Sequence, residues 1–147
     1  MILIDTYDQY QEAVAIGYEP LRDWRKFDVD IFLRVRIQRM IFGHRELTKA
    51  DDIRRANDRF YRWCFEHSLK VCEETGVELH DYSSVHVSHI LTKGAHPEMA
   101  HDPRNVNILT YKKHERWESG KNSGMKIYSL NMYIIELLKT DYSKLKV

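Results

Sequence analysis

The sequence predicts an α+β fold, mostly helical, built around one central strand–loop–strand–helix unit. Three observations point there. Residues 85–120 switch from an alternating run to a Gly- and Pro-broken loop, then to a second apolar run and a helix. The segments on either side repeat their apolar residues at helical spacing. The 147 residues, 43% of them hydrophobic, suit one domain with a real core. Within that domain (1–147) we expect a helical N-terminal part over 1–75, the hairpin–helix core over 85–120 and a C-terminal helix in 121–147.

Taken in order, Tyr7 to Ala15 reads as a short helix, followed by a turn at Gly17 and Pro20. Asp28 to Phe42 fits both periods. Val29, Ile31, Leu33, Val35 and Ile37 alternate, while Val29, Leu33, Ile37, Met40 and Ile41 share a helical face; Asp28 as N-cap and Gly43 as C-cap favour a helix. Thr48-Lys-Ala-Asp51 has the form of a capping box, opening a helix to about Glu73 with Ile53, Ala56, Phe60, Trp63, Cys64 and His67 on its apolar side. Thr75-Gly76 ends it. Val85 to Leu91 reads as a strand with His86 and Ser88 on one face and Val87 and His89 on the other. Thr92 to Arg104, holding Gly94, Pro97 and Pro103, must be a loop. Asn105 to Thr110 pairs back antiparallel, and a helix runs from Thr110 or Tyr111 to Trp117 or Glu118 with Gly120 as its C-cap. Met125 to Lys139 carries Ile127, Tyr128, Met132, Ile135 and Leu138 at helical spacing.

Composition narrows the classes. No apolar run approaches the ~18 residues needed to span a bilayer, and MILIDTYDQY lacks the layout of a signal peptide, so we expect no membrane partner and a cytoplasmic location. Cys64 and Cys72 are too few for a disulfide framework and are expected as free buried thiols. A net charge of +1 gives no global attraction to nucleic acid, so any such partner must be held by local charge. Between Arg104 and Lys126, Arg104, Lys112, Lys113, Arg116, Lys121 and Lys126 face only Glu115 and Glu118. From Arg22 to Arg62 there are 12 basic and 7 acidic residues; Arg54, Arg55, Arg59 and Arg62 suit either a DNA backbone or a solvated face paired with Asp51, Asp52 and Asp58.

The chemistry concentrates in the central unit. It holds His86, His89, His96, His101 and His114, five of the eight histidines, with Asn105 and Asn107 on either side of Val106. His114 and Glu118 are i and i+4 on one helix face. If that face looks back at the first strand, His89, His114 and Glu118 converge near Asn105, an assembly suited to a divalent cation and an activated water. Phosphodiester hydrolysis needs those parts.

The order His89, Asn105, His114, within SHILTKGAHPEMAHDPRNVNIL and the following H and WE, resembles the HNH (His-Me finger, ββα-metal) endonucleases, and in particular their small phage and prophage branch. The resemblance spans roughly residues 59–142. It implies a DNA endonuclease or nickase of a bacterial host cell, with 5′-phosphate and 3′-hydroxyl products. By it His89 is the general base, Asn105 braces the loop, His114 binds the metal, and Glu118 stands where a further ligand often sits. The cofactor implied is Mg²⁺ or Mn²⁺, with Ni²⁺ or Zn²⁺ as alternatives. Two departures stand out. The residue before the base is usually Asp or His and binds metal; here it is Ser88, for which His86 is the candidate substitute. The pairs that often hold a structural zinc would fall on Cys72 with Thr75 and Thr110 with Lys113, so no structural zinc is expected. A module that binds nucleic acid or protein without cutting, and a nuclease directed at RNA, are the alternatives.

His96 and His101 ride on the loop, where they would touch phosphate, assist the metal or simply be exposed. Asn107 shares a strand face with Asn105, and the spacing to His114 favours Asn105. His44, His67 and His80 have no supporting constellation, and Trp117 is expected to anchor its helix in the core. Oligomeric state is open.

Overall fold

The computed structural model describes residues 1–43 and 49–146 and is α+β. Its first unit is a short parallel crossover. Strand β1 (Ile2–Ile4) pairs with β2 (Phe27–Val29) in the register Ile2↔Phe27, Leu3↔Asp28, Ile4↔Val29, with helix α1 (Tyr7–Ala15) between them. Thr6 opens α1 as a complete capping box: its hydroxyl accepts from Gln9 N–H, and the Gln9 amide oxygen accepts from Thr6 N–H. α1 has the expected bounds. Neither strand was expected, because a three-residue strand leaves too little alternation to read. β2 also moves the start of the next helix. Asp28 is an exposed strand residue, and Asp30 is the N-cap of α2 (Ile31–Phe42), accepting from Leu33 N–H at 3.2 Å. Gly43 closes α2 at φ 103°, a conformation that suits a residue without Cβ.

Helix α3 (Ala50–Glu66) stops seven residues before the expected Glu73, and Thr48, expected to open it, lies outside the described residues. The stop is local. The Ser68 hydroxyl donates to Phe65 O and accepts from Lys70 N–H, and Lys70 takes a φ of 57°. Residues 70–79 then fold into a tight loop in which Cys72 N–H donates to Val77 O and Gly76 N–H to Cys72 O. Glu73 N–H donates to Ile108 O, while its carboxylate accepts from Ile108 N–H and from Asn107 Nδ2. The loop is thereby tied to the edge of the hairpin.

That hairpin is β3 (Val87–His89) against β4 (Val106–Ile108), antiparallel, in the register Val87↔Ile108, Ser88↔Asn107, His89↔Val106. α4 (Tyr111–Glu118) and α5 (Tyr128–Ser143) follow it. Helices cover both faces. Val87 and Ile108 join Phe60, Cys64 and Phe65 of α3, while Leu109 and Ile90 join Trp117 of α4 and Ile134 and Leu138 of α5. The Trp117 indole also donates to Ile90 O at 3.1 Å.

A buried ionic centre ties the loop between the strands to the helices. Asp102, fully buried, accepts from both arms of the Arg104 guanidinium (Nε 3.1 Å, Nη2 2.7 Å), from Arg34 Nη1 at 3.3 Å and from the Tyr142 hydroxyl at 3.0 Å. Arg104 reaches on to Asp141 at 2.6 Å. Burial opposes ionisation of Asp102, yet the two guanidinium groups outweigh it and hold the carboxyl well below its ordinary range. Burial and the neighbouring Arg104 charge lower Arg34 to about 10 against the attraction of Asp102, whereas Arg104, with two carboxylates, is pushed up against its own desolvation.

Candidate nuclease centre on the hairpin

Asn105 sets the local architecture. It ends a 3₁₀ turn (Pro103–Asn105) opened by Pro103, and it is fully buried. Its Oδ1 accepts from Leu91 N–H at 2.8 Å; its Nδ2 donates to Leu91 O at 3.0 Å and to Met99 O at 3.2 Å. One amide therefore ties the interior of the thirteen-residue loop 92–104 to its two ends, because Leu91 precedes the loop, Met99 lies within it and Asn105 follows it. Replacing Asn105 with Ala leaves two half-buried backbone groups of Leu91 and the buried Met99 carbonyl without that partner and is expected to cost about 1–3 kcal/mol in urea unfolding.

The carbonyl next to Met99 fixes His89. Ala100 O lies 2.8 Å from His89 Nε2. A carbonyl only accepts, so Nε2 carries the proton and Nδ1 is the basic nitrogen. The ring is held by aromatic neighbours, stacked on Phe60 at 6.0 Å and edge-on to Tyr61 at 5.8 Å. Lys93 Nζ donates to the Tyr61 hydroxyl at 3.0 Å, which brings a cation to the rim beside His89. Tyr61 and Lys93 were not singled out in the sequence; both lie outside the spacing motif and meet His89 only through the packing of α3 on the hairpin.

His114 and Glu118 meet as their spacing requires. His114 Nδ1 lies 2.6 Å from Val85 O and Nε2 lies 2.8 Å from Glu118 Oε1. Both partners are acceptors, so a positive charge is needed on the ring or between ring and carboxylate, from a proton or a divalent cation. With Nδ1–H tied to Val85 O, the Nε2 lone pair and the Glu118 carboxylate present two suitable donors for the metal that the resemblance implies. Among the described residues no three His, Cys, Asp or Glu side chains converge as a complete metal cage. Ser88 Oγ and His86 Nδ1 are buried without a hydrogen-bond partner among the described residues.

Other expected residues are placed differently. His86 is not on the Ser88 face of the strand, because a 3₁₀ turn (Ser84–His86) precedes β3 and rotates the ring onto Phe65, 6.3 Å between centroids. Arg104 is no phosphate ligand on the surface; it is 4% exposed and committed to Asp102 and Asp141. His101 is buried against Phe42 and Phe60, with Nε2 2.8 Å from Asn57 Oδ1. His96 is half-buried, 3.7 Å from Glu98. Asn107 and Asn131 exchange amide hydrogen bonds of 3.2 and 2.8 Å and so bind α5 to β4. Lys112 and Lys121 are exposed and Lys113 half-buried on and after α4; Arg116 is exposed and donates to Lys121 O. Arg54, Arg55 and Arg62 pair with Asp51, Asp52 and Asp58, and Arg59 donates to Phe42 O.

Three of the four positions named for a zinc pair also come together. The Cys72 thiol donates to the Thr110 hydroxyl at 3.9 Å, and Cys64 and Cys72 are both free and buried. Burial raises the Cys72 thiol, but hydrogen bonds from the Thr75 side chain and from the backbone of Thr110, Thr75 and Glu74 bring it below its ordinary value. No helix among the described residues is long and apolar enough to cross a membrane.

Compared with protein-family models, with curated proteins and with solved structures, the chain shows no match.

Proposed function

We propose that this chain is a metal-dependent nuclease of the HNH type that hydrolyses DNA phosphodiester bonds. The observation that carries the reading is the relay from Asn105 to His89. The buried amide fixes Met99 O, and the adjacent Ala100 O fixes the imidazole tautomer, so that Nδ1 is the nitrogen that takes a proton from water. The resulting hydroxide forms a bond to phosphorus in line as the P–O3′ bond breaks, and the departing 3′ oxygen takes a proton from solvent water. His114 and Glu118 would hold a divalent ion, which would supply neutralisation of charge on the phosphate. Lys93, Lys112, Lys113, Arg116 and Lys121 offer cations for the flanking backbone.

A second reading has its own support. With Ser88 in place of an acidic or imidazole ligand, His114 and Glu118 form a two-donor site, as in a module that binds nucleic acid or a protein partner with little or no cutting.

Plasmid nicking by the purified protein with Mg²⁺, Mn²⁺, Ni²⁺ or EDTA, beside His114→Ala and with a structured RNA in parallel, separates them. Cutting is expected with metal, to cease in EDTA, and to need far more metal in the variant. No cutting with any metal transfers the assignment to the binding module. Preference for the RNA changes the substrate and leaves the chemistry.

A further inference from the structure

A second cleft lies on the side of α3 away from Tyr61, between residues 22–26, the end of α3 and the outer edge of β4. Its volume is about 600 Å³, in the range of small-ligand sites. Two features define its chemistry. Trp63 and His67, one helical turn apart, stack face to face with centroids 4.1 Å apart and 26° between planes, and Trp24 also lines the cleft. His67 Nδ1 lies 2.8 Å from Trp63 O, which locks the imidazole in that plane. The second feature is cationic. Arg25 lies over the Trp24 ring at 5.2 Å, and Lys26 is exposed at the rim. Arg22 is paired with Asp23 at 2.8 Å, and the Glu73 carboxylate, hydrogen-bonded by Ile108 N–H and Asn107 Nδ2, offsets part of the Arg25 charge, so Arg22, Arg25 and Lys26 outnumber Asp23 and Glu73 in the lining.

A flat aromatic platform beside a net positive lining fits a ligand with one planar ring and one anionic group. We infer that this cleft binds a nucleotide, its base stacked on the Trp63–His67 pair and its phosphate at Arg25 and Lys26. Continuity with the hairpin gives the arrangement a use: Val106, which lines the cleft, is the register partner of His89. A single strand seated here is anchored on the outer edge of the strand that pairs with the one carrying the base. The cleft's chemistry stands by itself; its service to a nuclease rests on the function proposed above.

The test is tryptophan fluorescence of the full chain in EDTA, titrated with a short oligo-dT and separately with thymidine monophosphate. Two of the three tryptophans, Trp24 and Trp63, line the cleft, and Trp117 is buried under Ile90. Quenching is expected. His67→Ala should weaken it between about fivefold and a hundredfold, the usual worth of one stacked base. Lys26→Glu, on an exposed side chain that the fold does not need, should weaken it and lower the salt slope by about 1 for the oligonucleotide. Equal affinity for the mononucleotide would support the cleft and name free nucleotide as its ligand. No quenching by either probe, or quenching that neither variant alters, would overturn the inference. Because cleavage is silent in EDTA, loss of the nuclease reading alone leaves this result standing.

Discussion

Replacing His89 with Ala is expected to reduce metal-dependent plasmid cleavage by roughly 10²–10⁴-fold, the usual contribution of one general base. The effect should fall on the chemical step. His89 contacts Ala100 O, Phe60 and Tyr61, whereas His114 and Glu118 hold each other, so metal affinity should be little changed. Loss of the hydrogen bond to Ala100 O is expected to lower stability by about 1 kcal/mol, with the loss of the ring contacts added to it. Those two readouts distinguish a base from a structural histidine. Added imidazole should restore part of the rate in His89→Ala, because the cavity left beside Phe60 admits the missing ring, and should do nothing for His114→Ala. A variant that cuts as fast as the parent in matched metal and salt would remove His89 from the chemistry and leave His114 and Glu118 to be explained as a binding surface.

Much of the central unit was legible because its signals are local. Gly94, Pro97 and Pro103 forbid regular structure between two apolar runs, and Gly120, at φ 80°, closes α4 where a C-cap was expected. The bracing role of Asn105 was legible too, since a buried amide on a long loop has few other uses. What escaped depends on contacts distant in sequence. His86 and Ser88 look alike by alternation, and only the 3₁₀ turn that begins the strand separates them. Arg104 looks like its basic neighbours on α4, yet a proline turn carries it inward, where Asp102, two residues away, and Asp141 on α5 await it. Likewise, three-residue strands such as β1 and β2 leave no periodic trace and are recognised only by the partner they find.

Arg104 leads to the largest expected effect on stability. Asp102→Ala removes the one carboxylate among the described residues that Arg34 contacts and the stronger of the two that hold Arg104, stranding positive charge in a buried site; a loss of about 3–5 kcal/mol is expected. Asp102→Asn, which preserves shape and can still accept a hydrogen bond, should fall short of that. The same centre sets an acid limit. Because the folded protein holds Asp102 well below its unfolded value, its contribution is fully present at neutral pH and is lost as pH falls below about 4, through the unfolded carboxyl value and toward the folded one. The parent should therefore lose stability on acidification more steeply than Asp102→Asn, in which that proton uptake is absent. Urea unfolding at pH 7 and at pH 4 to 3 measures both. Parallel acid profiles for the two proteins would show that Asp102 does not carry the charge of the centre. If they diverge as expected, the loop that positions Ala100 O against His89 is anchored by ionic contacts to α2 and α5, and cleavage by the parent should fail at low pH along with the fold.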